Sequence, residues 1–273
     1  MKKWNRVVAY LVISGCALIS ADAEQVAYWS FGIPHGGSYG DAIMESTDSV
    51  SSLVARAANL SSSSAKVFYA APNPDLSGAS ADIRGGGFLK VVDNQLLTGH
   101  NNGESGFSAL TIDAYVFLRT LPRTRAVPGV IVRKTGAGTN NRPGYQFYVS
   151  FDGRLNFTLA DGATFSTQGT ASSPEGSIQA GQWVHVTGTW DGSAIRIYID
   201  GVESGSKLYS ATSGIPGVLD ADTIGDFCIG GWQSLSGTYA QQMNGLVDDV
   251  TIYNEALLEP PSKKLSLTGF DAN

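Results

Sequence analysis

Apolar and polar positions alternate with a period of two along much of the chain. Leu110, Ile112, Ala114, Val116 and Leu118 alternate with Thr111, Asp113, Tyr115 and Phe117. Tyr145, Phe147, Val149 and Phe151 do so against Gln146, Tyr148 and Ser150, and Leu155, Phe157 and Leu159 against Asn156 and Thr158. Ile195, Ile197 and Ile199 flank Arg196 and Tyr198. This period puts one set of side chains on each face of a strand. Segment 110–118 is apolar on much of both faces, which predicts a strand in the middle of a sheet. Asp-Gly pairs punctuate the pattern at Asp152-Gly153, Asp161-Gly162, Asp191-Gly192 and Asp200-Gly201. Asp-Gly supplies the positive φ of a tight reversal between antiparallel strands, and the residues left between turns suit one strand of ordinary length. Further strands are predicted at 28–31, 88–92 and 243–253. Loops are predicted at 32–52, 99–106, 135–144, 203–226 and 231–242. Only 41–60 and 254–259 read as short helical candidates. Many strands, Gly-rich turns and little helix predict an all-β fold of two packed antiparallel sheets.

The N-terminus sets the compartment. Lys2, Lys3 and Arg6 precede an apolar run from Val7 to Ile19 and an Ala21-Asp22-Ala23 site. That order predicts a cleaved signal peptide over 1–23 and a secreted or periplasmic protein. A second reading takes Ile13-Ser14-Gly15-Cys16 as a bacterial lipobox with Cys16 as the lipid anchor. No other segment is apolar enough for a transmembrane helix. The predicted organisation is a leader over 1–23, one large domain over 24–258 and a polar tail over 259–273, with Pro260-Pro261 ending the regular structure. Without the leader, Cys228 is the one remaining cysteine, so no intramolecular disulfide forms. The formal net charge of −6 becomes −8 once the leader's three basic residues and one acid are removed. This balance argues against nucleic acid as a partner. It suits calcium and neutral or cationic glycans.

Gly181-Gln182-Trp183-Val184-His185-Val186-Thr187-Gly188-Thr189-Trp190-Asp191-Gly192, continuing to Ile197-Tyr198-Ile199-Asp200-Gly201, resembles the signature stretch of laminin G-like domains. These belong to the concanavalin A-like lectin/glucanase superfamily. The closing run Met243-Asn244-Gly245-Leu246-Val247-Asp248-Asp249-Val250-Thr251-Ile252-Tyr253 resembles the last strand of such domains. Cys228-Ile229-Gly230-Gly231, Tyr28-Trp29-Ser30-Phe31 and Asp75-Leu76-Ser77-Gly78 are similar to other landmarks of the family. The first half departs from it: Gly32 stands where members often carry Asp, and a long insert separates Phe31 from Asp75. The resemblance implies a two-sheet antiparallel jelly-roll sandwich, structural Ca²⁺, and a glycan-binding, adhesive or accessory role.

Asp248, Asp249 and Asp75 are the candidate metal ligands, since hard carboxylate oxygens suit Ca²⁺. Strand alternation predicts that Asp248 and Asp249 point to opposite faces, so that only one enters a given site. Asp220, Asp222 and Asp226 share a loop and read either as chelators or as a solvated acidic loop. Loop aromatics Trp232, Tyr239 and Tyr39 are the candidate sugar platforms, with Trp232 reading equally as a partly buried loop anchor, whereas Trp183 and Trp190 fall inside the strand pattern and read as core. His185 lies on a strand and reads as a histidine tied to a neighbouring backbone group. His35 and His100 are isolated, and Cys228 reads as a buried, inert thiol.

The Glu-x-Asp-x-x-Glu string of laminarinase-type glycosidases is absent, as are the alginate-lyase motifs, phosphate loops and zinc spacings. No catalytic residue is therefore assigned. The expected function is an exported, non-catalytic module that binds carbohydrate or a cell-surface protein. The alternatives are a polysaccharide-active enzyme whose active site the sequence does not advertise, and a purely structural envelope protein.

Overall fold

The computed structural model describes residues 25–33, 36–43, 45–59, 67–74, 76–84, 86–99, 106–124, 127–135, 143–160, 168–210, 225–232 and 241–257. The leader and lipobox readings, the tail, Asp161-Gly162, Asp75, Asp220, Asp222, Tyr239, His35 and His100 lie outside those residues. In chain order the described strands are β1 (Gln25–Trp29), β2 (Glu45–Thr47), β3 (Val54–Asn59), β4 (Val67–Ala70), β5 (Ser80–Ile83), β6 (Gly87–Val91), β7 (Leu110–Leu118) and β8 (Gly129–Thr135). They continue as β9 (Pro143–Val149), β10 (Leu155–Ala160), β11 (Gln168–Ser172), β12 (Trp183–Trp190), β13 (Ala194–Ile199), β14 (Val202–Leu208), β15 (Phe227–Ile229) and β16 (Gly245–Tyr253). A single 3₁₀ turn, Gln95–Leu97, is the helical element among the described residues.

Two antiparallel sheets form a jelly-roll sandwich. Sheet I runs β14-β13-β12-β7-β16-β5-β4, and β1 also pairs with β16. Sheet II runs β11-β10-β9-β8-β15-β6-β3-β2. The doubly apolar segment 110–118 is central, as its pattern predicts: β7 lies between β12 and β16. Inward residues of both sheets share one core, in which Trp29 stacks on Phe227 at 5.5 Å between ring centroids and Phe147 meets Phe157 edge-on at 5.6 Å. The two-residue reversal is seen at Asp200-Gly201, where φ is 50° and 80°, the pattern of a type I′ turn. Around Asp191 the loop is longer, because its carboxylate accepts the backbone N–H groups of Ser193 (2.9 Å) and Ala194 (2.8 Å).

Three expectations are corrected. The described residues of the 41–60 stretch are not helical but hold β2 and β3. Asp48 decides this, since its buried carboxylate accepts N–H bonds from Val50 (2.8 Å), Ser51 (2.9 Å) and Leu53 (2.6 Å), which a helix would need along its own axis. The stretch 203–226, expected as loop, contains most of β14, an edge strand whose residues are exposed or half-buried. An edge strand whose side chains are mostly exposed shows no apolar alternation to read. The 254–257 stretch carries no helix either.

The edges of the two sheets meet at β14 and β11. A Cβ on Gly205 would lie 2.3 Å from the Ser172 carbonyl oxygen, a backbone atom of the other sheet. Gly205→Ala is therefore expected to cost about 2 kcal/mol, read as a lower urea midpoint at unchanged m-value. An unchanged midpoint would mean that the edges do not close there.

Candidate functional site

On the outer face of sheet I, β16 changes partner: Gly245–Val247 pair with β5, and Val250–Tyr253 with β1. At the changeover Asp248 faces Tyr115, the next paired residue is Thr251 facing Asp113, and one extra residue is accommodated as a bulge. Asp249 takes φ 47°. This corrects the alternation argument, because a bulge lets successive side chains reach one region. Asp249 accepts a 2.6 Å bond from the Tyr28 hydroxyl, and the charges of both Asp249 and Asp248 act on that phenol. Burial, followed by those carboxylates, pushes the Tyr28 pKa well above its usual value.

Asp248 is fully buried. Its oxygens accept the N–H groups of Asp249 (2.9 Å) and, at a long 3.4 Å, of Asn73. No cationic side chain is among its described partners. Burial, then the adjacent Asp249 charge, pushes its pKa up to about 8. Asn73 belongs to the β4–β5 connection, which also holds Asp75 in sequence, and Gly78 of that connection accepts the Tyr39 hydroxyl at 3.1 Å. The structure thus brings Asp248 and exposed Tyr39 to one connection, with Asp249 next to Asp248 and bonded to Tyr28 of β1. No trio of His, Cys, Asp or Glu side chains suited to a metal converges among the described residues.

Beside this site lies a buried polar group. His185 Nε2 bonds the Asp113 carboxylate at 2.9 Å, Thr187 donates to the same carboxylate at 2.5 Å, and Tyr115 stacks on the imidazole at 4.5 Å. The partner of His185 is thus a carboxylate on β7 rather than a neighbouring backbone group. A pairing across 72 residues leaves no local trace in sequence. Trp183 also faces outward, against Phe117, while Trp190 is in the core.

The outer face of sheet II carries a single rung across all eight strands. Cα partners link Glu45, Arg56, Lys90, Cys228, Arg133, Gln146, Thr158 and Thr170 in turn. Alternation sends the rung's side chains from Arg56 to Thr170 away from the core, which the neighbours Val132, Phe147, Phe157 and Ile229 enter. Arg133 is its keystone. Its guanidinium lies 3.7 Å from the ring centroid of Trp232 and donates to Gln146 (2.9 Å) and Gln241 (3.4 Å). Trp232 is only 5% exposed and packs with Phe88 and Cys228, so of its two readings the structure gives the buried loop anchor and not the sugar platform. Lys90 pairs with Asp226 at 2.9 Å, so Asp226 is committed to an ion pair. Burial pushes the Cys228 thiol up to about 12, in keeping with an inert cysteine. Lys90, Gln241, Tyr148 and Thr170 keep part of their surface in solvent.

The sequence profile of the Laminin G type within the concanavalin A-like lectin/glucanases superfamily matches residues 92–260, and the chain belongs to that superfamily. No curated protein matches the chain in sequence. Among solved structures it is similar to domain 4 of AbnA, an extracellular arabinanase of Geobacillus stearothermophilus, in complex with arabinotriose. That likeness has a TM-score of 0.53 and 19% identity, covering 86% of this chain and 94% of that one. It is also similar to the binding domain of Paraclostridial Mosquitocidal Protein 1 (TM-score 0.54, 14% identity, 85% of this chain and 49% of that one). Trypanosoma rangeli sialidase is a third similar structure (TM-score 0.51, 16% identity, 85% of this chain and 30% of that one). The chain thus spans about half of the toxin chain and under a third of the sialidase chain. At such identities the likeness is one of fold.

Proposed function

We propose that this protein is an exported, non-catalytic module that binds carbohydrate on the outer face of sheet II and holds a structural Ca²⁺ beside Asp248 and Asp249. The observation that carries the binding reading is the rung centred on Arg133. The buried Arg133 guanidinium and Gln146 carboxamide, fixed by one another and by the Trp232 ring, hold the half-buried Gln241 at the surface, and half-buried Tyr148 follows Gln146 by two residues on β9. Sugar hydroxyls are met well by such preorganised donors and acceptors next to a ring. Asp226, a carboxylate beside this rung, is held by Lys90, which favours recognition over general acid–base work there. The similar arabinanase domain was solved with a trisaccharide, which fits the same reading.

The calcium proposal rests on a different observation. Asp248 is a fully buried carboxylate next to a second one, without a cationic partner among the described residues. Two hard carboxylates with a phenol and a carboxamide residue nearby suit a divalent oxygen-seeking ion, which would tie the β16 bulge to the β4–β5 connection.

A polysaccharide array probed in 1 mM Ca²⁺ and in EDTA tests the reading. The expected result is binding to a restricted set of glycans, weakened in EDTA, without release of reducing ends or unsaturated uronides. Release of either product would mark an enzyme instead. Absence of binding to every glycan would leave the structural-protein alternative.

A further inference from the structure

At the end of the sandwich where the chain leaves β7 and later enters β16, a cleft of ≈ 650 Å³ opens between residues 120–124 and 242–244. Small-ligand sites typically span about 300–1,000 Å³, so a sugar unit and its neighbour fit such a space. Leu121, Pro122 and Met243 supply apolar surface, while Arg123, Thr124 and Gln242 supply polar groups. Among the described residues no carboxylate lines the cleft, in a chain that is acidic overall. The nearby Arg119 is committed to Asp82 at 2.7 Å. Arg123 is exposed and has no ion-pair partner among the described residues. Gln242 adds an independent sign of an unfinished site: its amide Nε2 is buried without a hydrogen-bond partner, so turning it toward a ligand breaks no bond.

We propose that this cleft takes the carboxylate-bearing sugar of an acidic glycan. Arg123 would pair with the carboxylate, Gln242 and Thr124 would meet ring hydroxyls, and the apolar wall would lie against the sugar's C–H face. The proposal rests on the glycan-binding reading and adds a second, charge-selective subsite to it.

The test is calorimetric titration of the full chain with galacturonate, mannuronate and guluronate oligomers, each beside its methyl ester. The ester keeps the sugar and removes the charge. At least one acid is expected to bind about tenfold tighter than its ester, with the preference lost in Arg123→Ala and kept in Tyr198→Ala on the outer face of sheet I. Arg123 is exposed, so an unchanged thermal midpoint will show that the variant is folded. No acid preference in the panel, or a preference that survives Arg123→Ala, overturns the cleft. Loss of binding in Tyr148→Ala alone would do so while supporting the outer face of sheet II. Loss in Arg123→Ala alone would support the cleft and count against that face.

Discussion

Transfer from 1 mM Ca²⁺ to EDTA at pH 8 is expected to lower the thermal midpoint by about 5–10 °C, and by much less at pH 5. The sign follows from Asp248. Its folded pKa, near 8, lies above the ordinary carboxylate value, so between pH 4 and 8 the metal-free fold retains a proton that the unfolded chain sheds. Metal-free stability therefore falls as pH rises through that window, by several kcal/mol at most, on the order of 1.4 kcal/mol per unit of difference. A calcium ion replaces the proton as counter-charge, so its contribution grows over the same range. Asp248→Asn separates the two effects: it should abolish the calcium response and yet be more stable than the wild type in EDTA at pH 8. Equal midpoints with and without calcium at pH 8 would remove the ion from the account.

The second large effect is expected at Lys134, whose side chain has no solvent exposure. It alternates inward at the edge of the core, opposite Tyr145 and Phe227, and donates to Asp93 at 2.6 Å and to the Gly225 carbonyl. Asp93 is its described counter-charge and is itself 36% exposed. The pair is thus asymmetric. Asp93→Ala leaves a buried cation without that charge and is expected to cost about 3–5 kcal/mol. Lys134→Met keeps the volume, removes the buried charge and leaves Asp93 to water, at about 1–2 kcal/mol. Urea denaturation of both variants measures this, and equal losses would show that the buried charge is not what the carboxylate serves.

Elements whose signals are local were legible. Segment 110–118 announced a central strand because it is apolar on both faces, and Asp200-Gly201 announced a reversal because few other pairs tolerate two positive φ angles. The hidden parts depend on distant or absent patterns. β14 is an edge strand, so its side chains never had to alternate. Asp48 closes the β2–β3 turn through its side chain, a role that the sequence of 41–60 does not distinguish from a helical polar position. Asp248 and Asp249 stand out as a pair, but the bulge that orients them arises where β16 exchanges β5 for β1, which is a property of topology. The rung on sheet II is of the same kind, since register alone puts Arg133 beside Gln146 and Cys228. Trp232 drew attention as an aromatic in a loop, and only the fold shows that its ring is covered by Arg133.

The most direct test of the binding face is equilibrium titration of one glycan selected from the array into three proteins: wild type, Tyr148→Ala on the outer face of sheet II, and Tyr198→Ala on that of sheet I. The account predicts an affinity loss of about tenfold or more in Tyr148→Ala and none in Tyr198→Ala. Equal losses in the two variants, or a loss confined to Tyr198→Ala, would contradict it.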